Sequence, residues 1–426
     1  MAKIFPFPAY RYSSQAGSIG ELVTQPYDKI SPEMQEGYYS ASPHNVIRLI
    51  KGKEEPTDDD SNNVYSRAAA TLDQWIDGNI LQREAEPALF PYFQQFDHPE
   101  TGKTFVRKGF IGLTQAVDYS AGIVHGHELT HSGPKLDRLQ LTRHTRAHFG
   151  QLFMLYDDTE SVVDACLDRA AAGPPLLSVG DEFGVTHTVW KIDDPVEIAQ
   201  IQAAMETKKL LVADGHHRYE TALAYAKENP GIPGADKVMM TFVNMSAPGL
   251  VVLATHRVLG GLPGFDGDAV LSKAAEFFDI ERLDSAAELQ QRLESAAGGR
   301  CAIGVVLQGI APCLLTGKTE AIDAALGSLT PKERSLDVVV LHKLLLEKAL
   351  GVSEEDVKEL RNIRYIRGAE AAVSEVQNES AQAAFLLRPV SVHEVAEISF
   401  AGGVMPQKST DFYPKLLAGL TIYRFG

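Results

Sequence analysis

The amino-acid sequence predicts a mixed α/β (α+β) fold, and three observations lead to it. Patterns suited to helix and to strand alternate along the whole chain. Two aromatic and β-branched runs, PYFQQFD and KTFVRKGFIGLT, flank a Pro and Gly turn at 98–103, which is the pattern of a hairpin. At 211–226 the segment LVADGHHRYETALAYA joins an apolar, strand-like run through an Asp-Gly turn to a helical periodicity.

Taken in order, the first 60 residues are rich in Pro, Tyr and Ser with few periodic runs. They end in the acidic tract EEPTDDD (54–60), read as a solvated loop because carboxylates packed this closely repel one another. Asn62 or Asn63 is placed to cap a helix in which Val64, Ala68, Leu72, Trp75 and Ile76 recur at helical spacing. The hairpin follows, and the stretch LTRHTRAHFGQLFMLYDD (141–158) reads as helix-like. Asp194 and Pro195 open a helix to about 205, since proline costs nothing where no N–H is needed. After the GGLPG linker (260–264) the pattern restarts, with helices at 269–277 and 286–295 and strands at 278–283, 302–307 and 313–316. Helices at 338–349 and 369–376 and strands at 383–388 and 420–423 complete the chain. The expected division is a mixed α/β core over 1–259, a small α/β subdomain over 260–334, and C-terminal helices and strands over 335–426 whose loop returns to the site.

Composition narrows the function classes. The 426 residues, 44% hydrophobic, suffice for sizeable cores. A net charge of −16, from 40 Lys and Arg against 56 Asp and Glu, argues against nonspecific nucleic-acid binding, which needs a basic footprint. Cys166, Cys301 and Cys313 are widely spread and outside any metal-ligand spacing, so they read as thiols in a reducing compartment. No apolar segment approaches a membrane span and MAKIFPFPAYRY lacks a secretory core, so a cytoplasmic location without membrane partners is expected.

Chemistry concentrates at the DGHHR turn. A helix entrance carries the positive end of the helix dipole and stabilises an anion there. Arg218 adds a planar cationic fork suited to phosphate or carboxylate oxygens. In the first turn His216 and His217 are held towards the neutral, proton-accepting form by the same field.

Three further segments carry polar groups. HELTH (127–131) fits the HExxH pattern of zinc peptidases, but Gly122 and Gly126 before it and Gly133 and Pro134 after it favour a strand ending in a loop over the required helix. His127 and Glu128 then read either as a hydrogen-bonded buried turn or, with Glu128 as general base, as acid and base groups. PQKST (406–410) follows Gly402 and Gly403, and Lys408, Ser409 and Thr410 supply a point charge and two hydroxyls for a phosphate, or else form a polar turn; Tyr413 and Lys415 follow in the same loop. PKLDRL offers Lys135, Asp137 and Arg138 as secondary candidates or as surface ion pairs. Asp157 and Asp158 suit Mg²⁺ or a solvated helix end, and His187, with Trp190, reads as a core histidine with one satisfied nitrogen. TGKT (316–319) misses a P-loop because Pro312 stands where the first glycine is needed.

QPYDKIS (25–31), HELT, PKLDRL, LFMLYDD (152–158), ADGHHRYETAL (213–223) and MPQKSTDFYPK (405–415), in this order and spacing, resemble the family known as domain of unknown function 1015. The DGHHR turn alone is similar to the phosphate-binding turn of the ParB and sulfiredoxin superfamily, which includes nucleotide-dependent kinases of free serine. That likeness implies a ParB/sulfiredoxin-like nucleotide-binding core with an additional C-terminal α/β subdomain, ATP or ADP and Mg as cofactors, and phosphate contacts from Asp214, Gly215, His216, His217 and Arg218. The combined expectation is phosphoryl transfer between a nucleotide or phosphate and a small hydroxylated or phosphorylated metabolite, serine or O-phosphoserine first. Lys408, Ser409 and Thr410 would add phosphate contacts, while Glu128, His127 and His217 would carry acid–base chemistry, with Thr130 secondary. Two rivals stay open: a metal-dependent hydrolase built on His127, His131, His216 and His217, and a noncatalytic nucleotide-binding regulatory protein.

Overall fold

The computed structural model describes residues 2–128, 132–296 and 300–426. They form two compact units: residues 2–126, 132–251 and 414–426 make the first, and residues 127–128, 252–296 and 300–413 the second.

The first unit is built on a nine-stranded mixed sheet: β1 (Ile4–Phe5), β2 (Phe90–Asp97), β3 (Thr104–Gln115), β4 (Val124–His125), β5 (Leu152–Tyr156), β6 (Leu177–Gly180), β7 (Thr186–Val189), β8 (Leu210–Asp214) and β9 (Lys237–Asn244). The order is β4–β8–β5–β9–β3–β2–β7–β6, with β1 also on β3. The pairs β8 with β4 and β9 with β5 are parallel. The expected hairpin is β2 and β3, in register from Phe90↔Ile111 to Asp97↔Thr104.

One face of this sheet packs on helices α3 (Val162–Ala171), α4 (Pro195–Met205) and α5 (His216–Glu228), and α1 (Val64–Asp77) and α2 (Ser132–Thr145) also belong to this unit. Leu152, Met154, Tyr156, Val212, Met240 and Phe242 meet Cys166, Leu167, Ile201, Met205 and Tyr219 in a continuous core. Such burial is worth roughly 25 cal/mol per Å² of apolar surface, enough to make this face the organising one. Asn63 caps α1 in a reciprocal box with Ser66, and Asp194 caps α4 with Pro195 behind it.

Several expectations need correction. The stretch 141–158 is not one helix: α2 ends at Thr145, Arg146 takes a φ of 49°, and LFMLY forms β5. All five residues of β5 are buried, so its apolar run is that of a strand covered on both faces. Gly133 and Pro134 do not continue a loop, because α2 begins at Ser132 and proline is tolerated in a first turn. Within the first 60 residues a helix, Pro32–Ala41, is capped by Ser31; it buries no residue, which is why no apolar periodicity announces it.

The second unit has a six-stranded, wholly antiparallel sheet: β10 (Thr255–Leu259), β11 (Phe278–Arg282), β12 (Ala302–Leu307), β13 (Cys313–Gly317), β14 (Ile363–Arg367) and β15 (Ala383–Leu386), in the order β11–β13–β12–β15–β10–β14. Helices α6 (Ala286–Ser295) and α7 (Ala369–Gln377) cover it through Leu289, Leu293, Ala372 and Val376. Because β15 lies between β12 and β10, residues 260–334 and 335–413 share one sheet, and β10 joins them from the segment before the linker. Only 414–426 return to the first unit. The helix expected at 338–349 widens from α to π geometry at Leu341. Among the described residues no helix is long and apolar enough to cross a membrane.

Both units hold neutral histidines, His148 half-buried in the first and His256 buried in the second. Burial pulls His148 down to about 4 in the first unit and, together with the Arg257 charge, does the same to His256 in the second. The unfolded chain binds protons at these rings near pH 6.5 and the folded chain does not, so the stability that these two rings govern falls as pH drops from about 6.5 to about 4, and their contribution is flat below that. A displacement of this size is worth on the order of 3 kcal/mol per histidine. Unfolding midpoints measured from pH 7 to 4 are expected to fall through this window, and His148→Phe is expected to shallow the dependence.

Candidate functional site

β8 ends in Asp214, Gly215 follows in the left-handed region at φ 102°, and α5 begins at His216 with no side chain capping it. Glycine is required here: a Cβ would stand 2.7 Å from Leu152 Cδ2 and 3.0 Å from an Arg218 guanidinium nitrogen. The pairing of β8 with β5 runs Leu211↔Leu155, Val212↔Met154, then Asp214↔Phe153, leaving Ala213 as an extra residue. Without this bulge Asp214 would share the face of Val212 and point into the apolar core. With it, the carboxylate joins the face of Phe153 instead.

On that face Asp214 is surrounded by cations. Arg218 Nη2 lies 3.1 Å from Oδ2 and Lys415 Nζ lies 3.7 Å from Oδ1. Burial would raise the Asp214 pKa, but Lys415, Arg218, Lys29 and His216 outweigh it and hold the carboxyl well below the usual range. Arg218 also donates to the Gln151 carbonyl at 2.6 Å, which ties the first turn of α5 to the entrance of β5. His216 is buried and His217 half-buried.

Lys415 is held there by side chains of β2 and β3. Arg107, 1% exposed, donates to Gln94 Oε1 at 3.0 Å and to the Pro414 carbonyl at 2.5 Å, with its guanidinium 4.5 Å above the Phe153 ring. Gln94 donates in turn to the Lys415 carbonyl at 2.8 Å, and Tyr92 Oη accepts from Leu417 N at 3.4 Å. Burial pulls the Arg107 guanidinium down to about 9, which leaves it cationic at neutral pH. His187 stands behind this clamp, fully buried, with Nδ1 2.6 Å from Tyr92 Oη and Nε2 3.1 Å from Asp181. Both of its nitrogens are therefore engaged, where one was expected.

The HELT and PQKST segments belong to the second unit. Glu128 forms a parallel bridge with Met405, whose N–H donates to the His127 carbonyl at 2.9 Å. His127, fully buried, has Nε2 2.9 Å from Thr410 Oγ1, and the Lys408 N–H donates to Glu128 Oε1 at 3.2 Å. Lys408 adopts a φ of 56°, and Ser409 Oγ donates to the Pro406 carbonyl at 2.5 Å. Arg257, buried in β10, grips the carbonyls of Gln407 and Lys408 at 3.1 and 3.2 Å, so the loop is pinned from both sides. Thr130 and His131 lie outside the described residues.

The secondary candidates make contacts within the first unit. On α2, Lys135 pairs with Glu220, Asp137 accepts from Tyr65 Oη at 2.9 Å, and Arg138 donates to Asp137 and to the Ile50 carbonyl while stacking 4.1 Å over the Tyr27 ring. Asp157 and Asp158 follow a strand, not a helix. Asp157 accepts from Ser246 Oγ at 2.6 Å, and buried Asp158 accepts from Val163 N and lies 3.5 Å from Lys208 Nζ. Trp190 donates to the Gly173 carbonyl, and the three cysteines are buried free thiols. Among the described residues no group of three or more His, Cys, Asp or Glu side chains could hold a metal ion.

Sequence reasoning missed Arg107, Gln94, Lys29 and Arg257. For Arg107 and Arg257 the available signal was a charged residue at inward parity within an apolar strand, as in FVRKGFIGL and THRVL; no such signal marked Gln94 or Lys29.

The family follows from the match of residues 4–339 to the model described as "Protein of unknown function (DUF1015)": the chain belongs to this family. No curated protein matches the sequence. Among solved structures, the chain is similar to a conserved hypothetical protein from Pyrococcus furiosus (12% identity, 69% of this chain and 90% of that one, TM-score 0.34). It is also similar to a free serine kinase in complex with AMP (12% identity, 70% and 88%, TM-score 0.35). A third is SbnI with a C-terminal truncation from Staphylococcus aureus (10% identity, 74% and 82%, TM-score 0.35). Likeness at this level carries no argument about chemistry.

Proposed function

We propose that this protein is a phosphate-handling enzyme that transfers a phosphoryl group between a nucleotide or phosphate and a small hydroxylated metabolite. Serine and O-phosphoserine are the first metabolites to test, and ATP and ADP the first nucleotides. The observation that carries the reading is the cationic surround of Asp214 at the entrance of α5. Lys29, Arg218 and Lys415 all act on one carboxylate, and cations gathered in this way at a helix entrance suit a phosphate dianion. The uncapped start of a 13-residue helix adds its dipole in the same sense. Phosphoryl transfer asks a protein mainly for positioning and charge stabilisation, which fixed cations on a rigid sheet supply.

Titration calorimetry with inorganic phosphate tests this. The wild-type chain is expected to bind, and Arg218→Ala and Lys415→Ala are each expected to weaken binding about 10- to 100-fold, the worth of one charge-assisted hydrogen bond. Unchanged affinity in both variants removes the cradle as the phosphate site.

A further inference from the structure

Two buried polar side chains beside this cradle have no hydrogen-bond partner among the described residues. Gln151 is 1% exposed and neither its Oε1 nor its Nε2 meets one, and Thr241, also 1% exposed, leaves its Oγ1 likewise unmet. Buried amides and hydroxyls are ordinarily satisfied, and an unmet one costs about 1–3 kcal/mol, so three such atoms in one place call for a reason.

Strand pairing puts them together. Asp214 is opposite Phe153 across β8 and β5, and Phe153 is opposite Thr241 across β5 and β9, so Asp214, Phe153 and Thr241 form one row on one face. Gln151 precedes Phe153 by two residues, and the alternation of β5 carried one residue past its start sets it on the same face, level with the first turn of α5. The Arg218 bond to its carbonyl fixes that position. Gln151 adjoins the cradle through that bond, Thr241 lies two strand spacings, roughly 10 Å, from Asp214 with Phe153 between them, and among the described residues no group answers these atoms.

Resting on the phosphate reading above, we infer that Gln151 and Thr241 form a neutral subsite that reads a hydroxyl group on the ligand. The ligand class is then a hydroxyl-bearing phosphate ester. An amide that both donates and accepts, set beside a hydroxyl that does the same, matches a group with one donor and two acceptor lone pairs. A site built to bond a hydroxyl rejects the analogue lacking it, because its own polar atoms are then left unpaired.

The test compares three probes by calorimetry: inorganic phosphate, glycerol phosphate and propyl phosphate, the last of similar size without hydroxyls. The wild-type chain is expected to bind glycerol phosphate at least about tenfold more tightly than propyl phosphate. In Gln151→Met and Thr241→Val the two esters should bind within about twofold of each other while inorganic phosphate affinity stays unchanged. Both variants should also unfold at higher temperature than wild type without ligand, since each removes unmet polar atoms, whereas a structural role predicts the reverse. A wild-type chain that binds phosphate but does not distinguish the esters overturns the subsite and leaves the cradle standing, with internal water as the partner of these atoms. Absence of inorganic phosphate binding overturns the cradle and the subsite with it.

Discussion

Gly215→Ala is expected to cost about 1–3 kcal/mol of stability and to lower phosphate affinity about 10- to 100-fold. The residue sits at φ 102°, where a side chain is strained whatever the space around it. The space is also occupied: the added methyl meets Leu152 at 2.7 Å and the Arg218 guanidinium carbon at 3.2 Å. Leu152 can turn, but its neighbours are the packed apolar face, so Arg218 is the group that moves. Its displacement breaks both the 3.1 Å approach to Asp214 and the bond to the Gln151 carbonyl. Urea unfolding and phosphate calorimetry on the same variant separate the two effects, and intact affinity in a destabilised variant would show that Arg218 does not contact the anion.

Arg107→Met is expected to lower unfolding free energy by about 2–5 kcal/mol, the penalty for stranding buried polar partners. The replacement keeps an unbranched stem but strips donors from Gln94 Oε1 and the Pro414 carbonyl. Arg107→Lys does not rescue it, since an ammonium lacks the planar fork that reaches both acceptors while lying over Phe153. Because this clamp seats Lys415, phosphate affinity is expected to fall along with stability. A variant as stable as wild type in urea would mean that Gln94 and Pro414 find other partners.

How much of this was legible in the sequence depended on whether the deciding contacts were local. The strand, turn and helix at 210–228 were readable because apolar run, Asp-Gly turn and helical period follow one another directly, and Asn63 and Asp194 advertised their caps in the same way. The sense in which Asp214 points was not readable, since it rests on one extra residue visible only once β8 is paired with β5. β5 itself was misread because its five apolar residues have no polar position to mark a period. β9 and β14 were missed, and so was the helix Val392–Phe400, although Ser391 and Glu394 spell a capping box ahead of it. Lys415 was set in one loop with Lys408, whereas in the structure it lies against Asp214, and the residues that grip the backbone around it lie more than 300 positions away. No local pattern encodes such a meeting.

The return of 414–426 to the first unit bears on how the molecule is made. During synthesis the strands and helices up to Val251 emerge long before Lys415 and the carbonyls that Arg107 and Gln94 await. Until residues 414 and 415 are made, Arg107 has Gln94 but lacks the Pro414 carbonyl, and Asp214 has Arg218 but lacks Lys415. The cradle is therefore completed only once residues 414 and 415 exist, well after the sheet that carries it has been synthesised.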